Sequence, residues 1–367
     1  MRIKRSASLW MVTVLLSFCL GGCATLQSID DFNTATSFSL ANKKIVMANG
    51  NSSGAFYLCD DGSLYSPGAD IDGGRFVVFQ DENSGLVGRN VRSFDSNYFI
   101  DTDNRLHFWN NIALATFGYT TPRTIQVIQE NVQDALYGHE TMAVLSTKGE
   151  LLAFGRWGEE RYSATNPHKI AEDVVFMAGF NDGIIYMKKG ESLSVFEAGI
   201  EKLPWWWGAL SETVSRHSAP EKIELIAQPD AAILQLDQEV WYYGDYEAMI
   251  GGEKGEKGCT LLSEHAKQIS AIPGAVSIVE EDGKGYLWGS FLSDCERVKE
   301  ATHSYYERFC FSEQLNYVAL DSSQSLLMVY MDGTTGAFRG NDTWGFLGNS
   351  SSEEYVCFGQ KPVVWVE

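Results

Sequence analysis

Positive charge is in short supply: 28 Lys and Arg stand against 48 Asp and Glu over 367 residues, a formal net charge of −20. Such a surface repels phosphate backbones and anionic headgroups, which argues against nucleic acid as a partner. Histidine is scarce as well. His107, His139, His168, His217, His265 and His303 fall at no metal-ligand spacing and in no His-Glu-x-x-His pattern, and beyond Cys23 no two cysteines lie two to four residues apart. No metal, cofactor or catalytic residue is expected on these grounds. Nor is there convincing long 3.6-residue periodicity, which speaks against a helical bundle.

What is present begins at the amino terminus. Arg2, Lys4 and Arg5 precede an uncharged stretch, Leu9–Leu20, and then Gly21-Gly22-Cys23. A basic region, a short apolar region and a small-residue cleavage zone are the three parts of an export signal. The stretch has 12 residues, too few for a span that needs about 20. The tetrad Leu20-Gly21-Gly22-Cys23 resembles the lipobox of bacterial lipoproteins, whose cysteine thiol receives a diacylglycerol group before the peptide is cut in front of it. That resemblance implies a signal peptide over 1–22, membrane lipid attached through Cys23, and a place in the bacterial cell envelope. Ala24 in the second mature position favours the outer membrane of a Gram-negative host, with the protein facing the periplasm or the cell surface. Removal of the signal takes three positive charges with it, so the mature formal charge is −23. The polar residues 23–42 read as a lipidated tether. Cys59, Cys259, Cys295, Cys310 and Cys357 remain, an odd number, so at least one is free or paired outside the chain.

From residue 43 to 367 short apolar and aromatic runs alternate with turn residues, a strand pattern. One unit recurs: a strand, a tight turn, a returning strand. The turns are placed at Asp61-Gly62, Asp103-Asn104, Lys148-Gly149, Lys189-Gly190, Asp237-Gln238, Asp282-Gly283 and Ser323-Gln324, with their second residues 42, 45, 41, 48, 45 and 41 positions apart. Four positions before each stands Leu58, Ile100, Leu145, Tyr186, Leu234, Val279 or Leu320. Glycine is favoured at Gly62, Gly149, Gly190 and Gly283 because tight hairpins need positive φ there. One such hairpin cannot bury its apolar face alone; stacked around an axis, seven can. A β-repeat of about 44 residues indicates a propeller. The expected fold is therefore all-β, a seven-bladed β-propeller preceded by a lipoprotein signal peptide. Pro362–Val366 reads as a further strand, expected to complete a blade begun at Ile45-Val46-Met47.

The units resemble the regulator of chromosome condensation repeat. Gly138-His139-Glu140-Thr141 through Ala143-Val144-Leu145 to Lys148-Gly149 and Phe154-Gly155 is the clearest match, joined by Asp282-Gly283 through Tyr286-Leu287-Trp288-Gly289 and by Asn341-Asp342-Thr343-Trp344-Gly345-Phe346-Leu347-Gly348. Trp109-Asn110, Phe196-Glu197 and Val329-Tyr330 depart from the pattern. The resemblance implies seven blades and a bracing role for His139, which in that family bonds to backbone. Its chromatin-associated roles conflict with the export signal and the acidic charge.

For chemistry the yield is low. The acidic clusters Asp60-Asp61, Asp101 with Asp103, and Glu280-Glu281-Asp282 border hairpin turns, where Asp is favoured for side-chain to backbone bonds. Gly251–Gly258 is glycine-rich but lacks the Lys-Ser/Thr end of a phosphate loop. The most unusual feature is Pro204-Trp205-Trp206-Trp207-Gly208, inside the longest interval between turns. Alternation prevents all three Trp from facing one side of a strand. Trp205, Trp206 and Trp207 are therefore either a loop folded onto its own blade, a binding surface, or a contact with the lipid interface. The leading expectation is a non-enzymatic, lipid-anchored interaction scaffold that binds an exported protein or glycan. The alternative is an enzyme acting on envelope polysaccharide or peptidoglycan through a carboxylate pair.

Overall fold

The computed structural model describes residues 43–51, 54–66, 85–109, 117–119, 125–138, 140–180, 183–196, 203–217, 220–245, 257–272, 275–288, 309–320, 326–338 and 355–356. The export signal, Cys23 and the segment 362–366 lie outside these. Among the described residues the strands form six antiparallel sheets in chain order, each a meander in which neighbours in sequence pair. The largest holds seven strands because two meanders meet in it, joined by a single parallel pair, Phe180 with Ala227. The meanders open with Ile45–Asn51, Val91–Asp95, Val132–Tyr137, Val174–Phe180, Ile223–Ala227, Ala266–Ile272 and Leu315–Leu320; they are called first to seventh below.

The period-2 alternation of each strand decides how the meanders stack. In the second strand of the first meander, Ala55, Tyr57 and Cys59 face one side and pack with Ala319, Leu327 and Val329 of the seventh. Phe56 and Leu58 face the other side, against Val91, Phe99 and Trp109 of the second. Similar apolar layers lie between each later pair of consecutive meanders. Every meander is thus covered on both faces, and the last covers the first. Burial on both faces explains why the second strands read as continuous apolar runs, such as Met142–Leu145 and Ala231–Leu234.

The hairpins lock this stack. In five meanders the loop between second and third strand has the same form: Gly62, Asn104, Gly149, Gly283 and Gly333, all at positive φ, donate their N–H to the carbonyls of Cys59, Asp101, Ser146, Glu280 and Tyr330. This is the three-residue loop that needs one left-handed residue. The carbonyl of that left-handed residue then accepts the first N–H of the next meander: Val91 to Gly62, Val132 to Asn104, Val174 to Gly149 and Leu315 to Gly283, at 2.8–2.9 Å. Ala266 does the same to Gln238 at 2.8 Å, and Ile45 to Gly333 at 3.3 Å. The last of these joins the end of the stack to its beginning.

Two expectations need correction. The seventh hairpin turns at Asp332-Gly333, with Gly333 at φ +82, and not at Ser323-Gln324, which lies between the first two strands of that meander and outside the described residues. The residue four before the turn is then Val329, fully buried like Ile100 and Val279. A helix, α1 (Trp207–Arg216), was not anticipated. It follows the third strand of the fourth meander, where other meanders continue into a fourth strand, and buries Leu210 and Val214 against the fourth and fifth.

Candidate functional site

One joint differs from the rest. Between the fourth and fifth meanders the equivalents of the locking pair, the Gly190 carbonyl and the Ile223 N–H, are not bonded to each other. A Cβ built on Gly190 would meet nothing within 4 Å, whereas on Gly149 it would meet Val174 O at 3.3 Å and on Gly333 Lys44 Cα at 3.1 Å. The opening strands of these two meanders touch at their far ends, Phe180 with Ala227, and splay toward the hairpins. The wedge is part of a cleft of about 670 Å³ that the third meander also walls, through Gln133, Asp134, Leu136 and Leu145. Val175, Phe176, Met187 and Leu225 line it, Val175 at 45 % exposure. Asp134, Lys189, Glu221, Lys222 and Glu224 supply its charge.

Glu224, on the cleft wall, also belongs to a second group of ionisable residues. The charges of Glu224 and Asp95, on the fifth and second meanders, both act on Tyr317 of the seventh. Burial, and then those charges, raise the Tyr317 phenol. Burial also raises the carboxyls of Asp95, Asp134 and Glu224. Asp95 is partly restored by the Ser96 N–H at 2.6 Å and by Asn49 Nδ2 at 3.1 Å, Asp134 by its own following N–H and by Arg92, and Glu224 by Lys222 at 3.5 Å. The Tyr98 hydroxyl donates to the Ala135 carbonyl of the next meander. A carboxyl raised in this way is a weaker acid that keeps its proton to higher pH than a surface one. Among the described residues no group of three His, Cys, Asp or Glu is placed to hold a metal ion.

The residues singled out from sequence take distinct places. Trp206 is wholly buried, edge-on to Phe180 at 5.6 Å, with its Nε1–H donated to the Gln228 carbonyl at 3.1 Å. Trp205 is 43 % exposed, and Trp207 starts α1 beside Trp206. Gly62, Gly149, Gly190 and Gly283 all have φ between +76 and +85. His139 lies outside the described residues. Asp61 and Asp282 each accept the backbone N–H two residues on, and Asp101 accepts from the Arg105 N–H, Arg105 Nε and His107 Nε2 at 2.8–2.9 Å. Burial pushes the Asp101 carboxyl up, but these donors outweigh it and leave it below the ordinary range. Cys59 is a buried free thiol and Cys259 an exposed one.

A Gly-x-Ser-x-Gly spacing, not expected from the sequence, does occur at Gly50-Asn51-Ser52-Ser53-Gly54 and is that of a hydrolase nucleophile turn. It connects two antiparallel strands rather than a strand and a helix, so it lacks the context that spacing requires. The cleft residues were passed over too. The 48-residue interval containing Pro220 signals an insertion there, but nothing local signals an unmade bond.

No family model and no curated protein matches this sequence. Solved structures do, at low identity. Prp20p from Saccharomyces cerevisiae aligns with 13 % identity and a TM-score of 0.46 over 67 % of this chain and 72 % of its own. BamB from Moraxella catarrhalis gives 11 % and 0.42 over 80 % and 82 %, and human WBSCR16 gives 12 % and 0.40 over 88 % and 82 %. No activity follows from these likenesses.

Proposed function

We propose that this chain is a seven-bladed β-propeller held at the bacterial cell envelope by lipid on Cys23, and that it works as a non-enzymatic interaction scaffold for an exported protein or glycan. The observation that carries the scaffold is the repeated lock between meanders, continued from Gly333 back to Ile45. A stack closed in this way holds its hairpin loops in fixed relation, which lowers the ordering cost of binding a partner. The address is supported by the basic, apolar and small-residue order of residues 2–23. Crosslinking in intact cells followed by recovery of the protein tests both parts. One exported protein in stoichiometric yield, together with acyl-chain labelling lost in Cys23→Ser, is the expected result. Recovery of nothing, or labelling that survives Cys23→Ser, contradicts it.

The raised carboxyls favour one second reading, the envelope glycan-acting enzyme. Raised acids such as Asp95 and Glu224 suit proton donation to a leaving oxygen. Release of soluble fragments from purified peptidoglycan, abolished in Glu224→Gln, would support that reading over the scaffold.

A further inference from the structure

We infer that the wedge between the fourth and fifth meanders is the docking site for an extended, apolar segment of an exported partner protein that carries at least one lysine or arginine. The inference rests on the scaffold reading and gives it a place and a partner chemistry. At the six other joints the carbonyl of a hairpin residue meets the first N–H of the next meander. Here the Gly190 carbonyl and the Ile223 N–H stand apart, with open space beside Gly190. An extended peptide carries the same two groups and can meet both; a lipid chain can meet neither.

The walls and the charge narrow the choice. Val175, Phe176, Met187 and Leu225 form an apolar lining, and methionine adapts to varied side chains. Asp134, Glu221 and Glu224 outnumber Lys189 and Lys222 in the cleft, and the Lys222 ammonium is already committed to Gln235 Oε1 at 3.0 Å and the Lys267 carbonyl at 2.7 Å. The chain as a whole carries −20. Three carboxylates against two ammoniums leave the cleft lining net negative, so a cation on the incoming segment is drawn to it while an acidic segment or an anionic headgroup is repelled. The cleft volume is within the range of ordinary ligand sites.

The test uses the full-length, membrane-anchored protein in its own cells, with a photoreactive phenylalanine analogue placed at position 175. Position 127 is the control, since Val127 is 43 % exposed and lies away from the cleft. Both sites are exposed enough to accept the analogue, and equal melting of the two purified proteins checks this. The expected result is capture of a protein at 175 and not at 127, with the crosslinked peptide apolar and bearing Lys or Arg by mass spectrometry. Glu224→Gln should then lower the yield by roughly fivefold, the effect of losing one partly screened charge pair. Capture of glycan or lipid at 175, of an acidic peptide, or of the same species equally at both positions overturns the inference. Capture at 127 without capture at 175 removes the wedge and leaves the scaffold reading standing. No capture at either position overturns both.

Discussion

Replacing Trp206 with alanine should unfold a large part of the fourth and fifth meanders' shared core. The indole is fully buried among Phe180, Leu210, Val214, Leu225 and Leu234. Truncation of a buried Trp costs about 3–5 kcal/mol, the cavity included. Within that total, the edge-on contact with Phe180 contributes about 0.5–1.5 kcal/mol. Loss of the indole N–H also leaves the Gln228 carbonyl without its donor, for about 1 kcal/mol more. A loss near 5 kcal/mol is a large share of the 5–15 kcal/mol typical of a folded domain. At the low end of the usual scaling for large domains it lowers the melting temperature by roughly 10 °C. Trp205→Ala, beside it but 43 % exposed, should change stability by less than about 1 kcal/mol. Thermal melts followed by near-ultraviolet circular dichroism read both variants against the parent. Equal melting of Trp206→Ala and Trp205→Ala would refute the packing described for α1.

Other expectations follow from single residues. Gly149→Ala and Gly190→Ala both place a side chain at positive φ, for about 1–2 kcal/mol each; only at Gly149 does the next meander crowd the new Cβ, so its melting temperature should fall further. Peptide mapping after brief alkylation of the native protein should find Cys259 modified well before Cys59, which is buried and whose thiol burial pushes up to about 12. Burial raises the folded pKa of Asp95, so it opposes folding when charged and stops doing so as pH falls through its raised value. Asp61, Asp101 and Asp282 are lowered, so their contribution is present above the ordinary carboxyl pKa and lost below it. Melting temperature should therefore hold or rise from pH 7 toward the ordinary carboxyl range and drop beneath it. Asp95→Asn should flatten the rise without altering the drop.

Much of the repeat is written locally. Asp61-Gly62 and Asp282-Gly283 announce tight turns, and Leu58 and Val279 announce the buried strand before them. The seventh turn was misplaced because even spacing was preferred to chemistry: Asp332-Gly333 is a better turn pair than Ser323-Gln324, yet it sits 50 residues after Gly283 rather than 41. The helix α1 escaped notice because only Leu210 and Val214 of its ten residues are buried, too few to set a period. The cleft was illegible for a different reason. It depends on a bond not formed between Gly190 and Ile223, 33 positions apart, and no local pattern encodes that.

Amide hydrogen exchange, resolved residue by residue, tests the closed ring with one open joint most directly. If Ile45 N–H is held by Gly333 as Val91, Val132 and Val174 are held by their own hairpins, its protection should match theirs. The Ile223 N–H, without its equivalent lock, should exchange at least about tenfold faster than those amides in the absence of a partner. Rapid exchange at Ile45, or protection of Ile223 equal to that of Val174, would contradict the account.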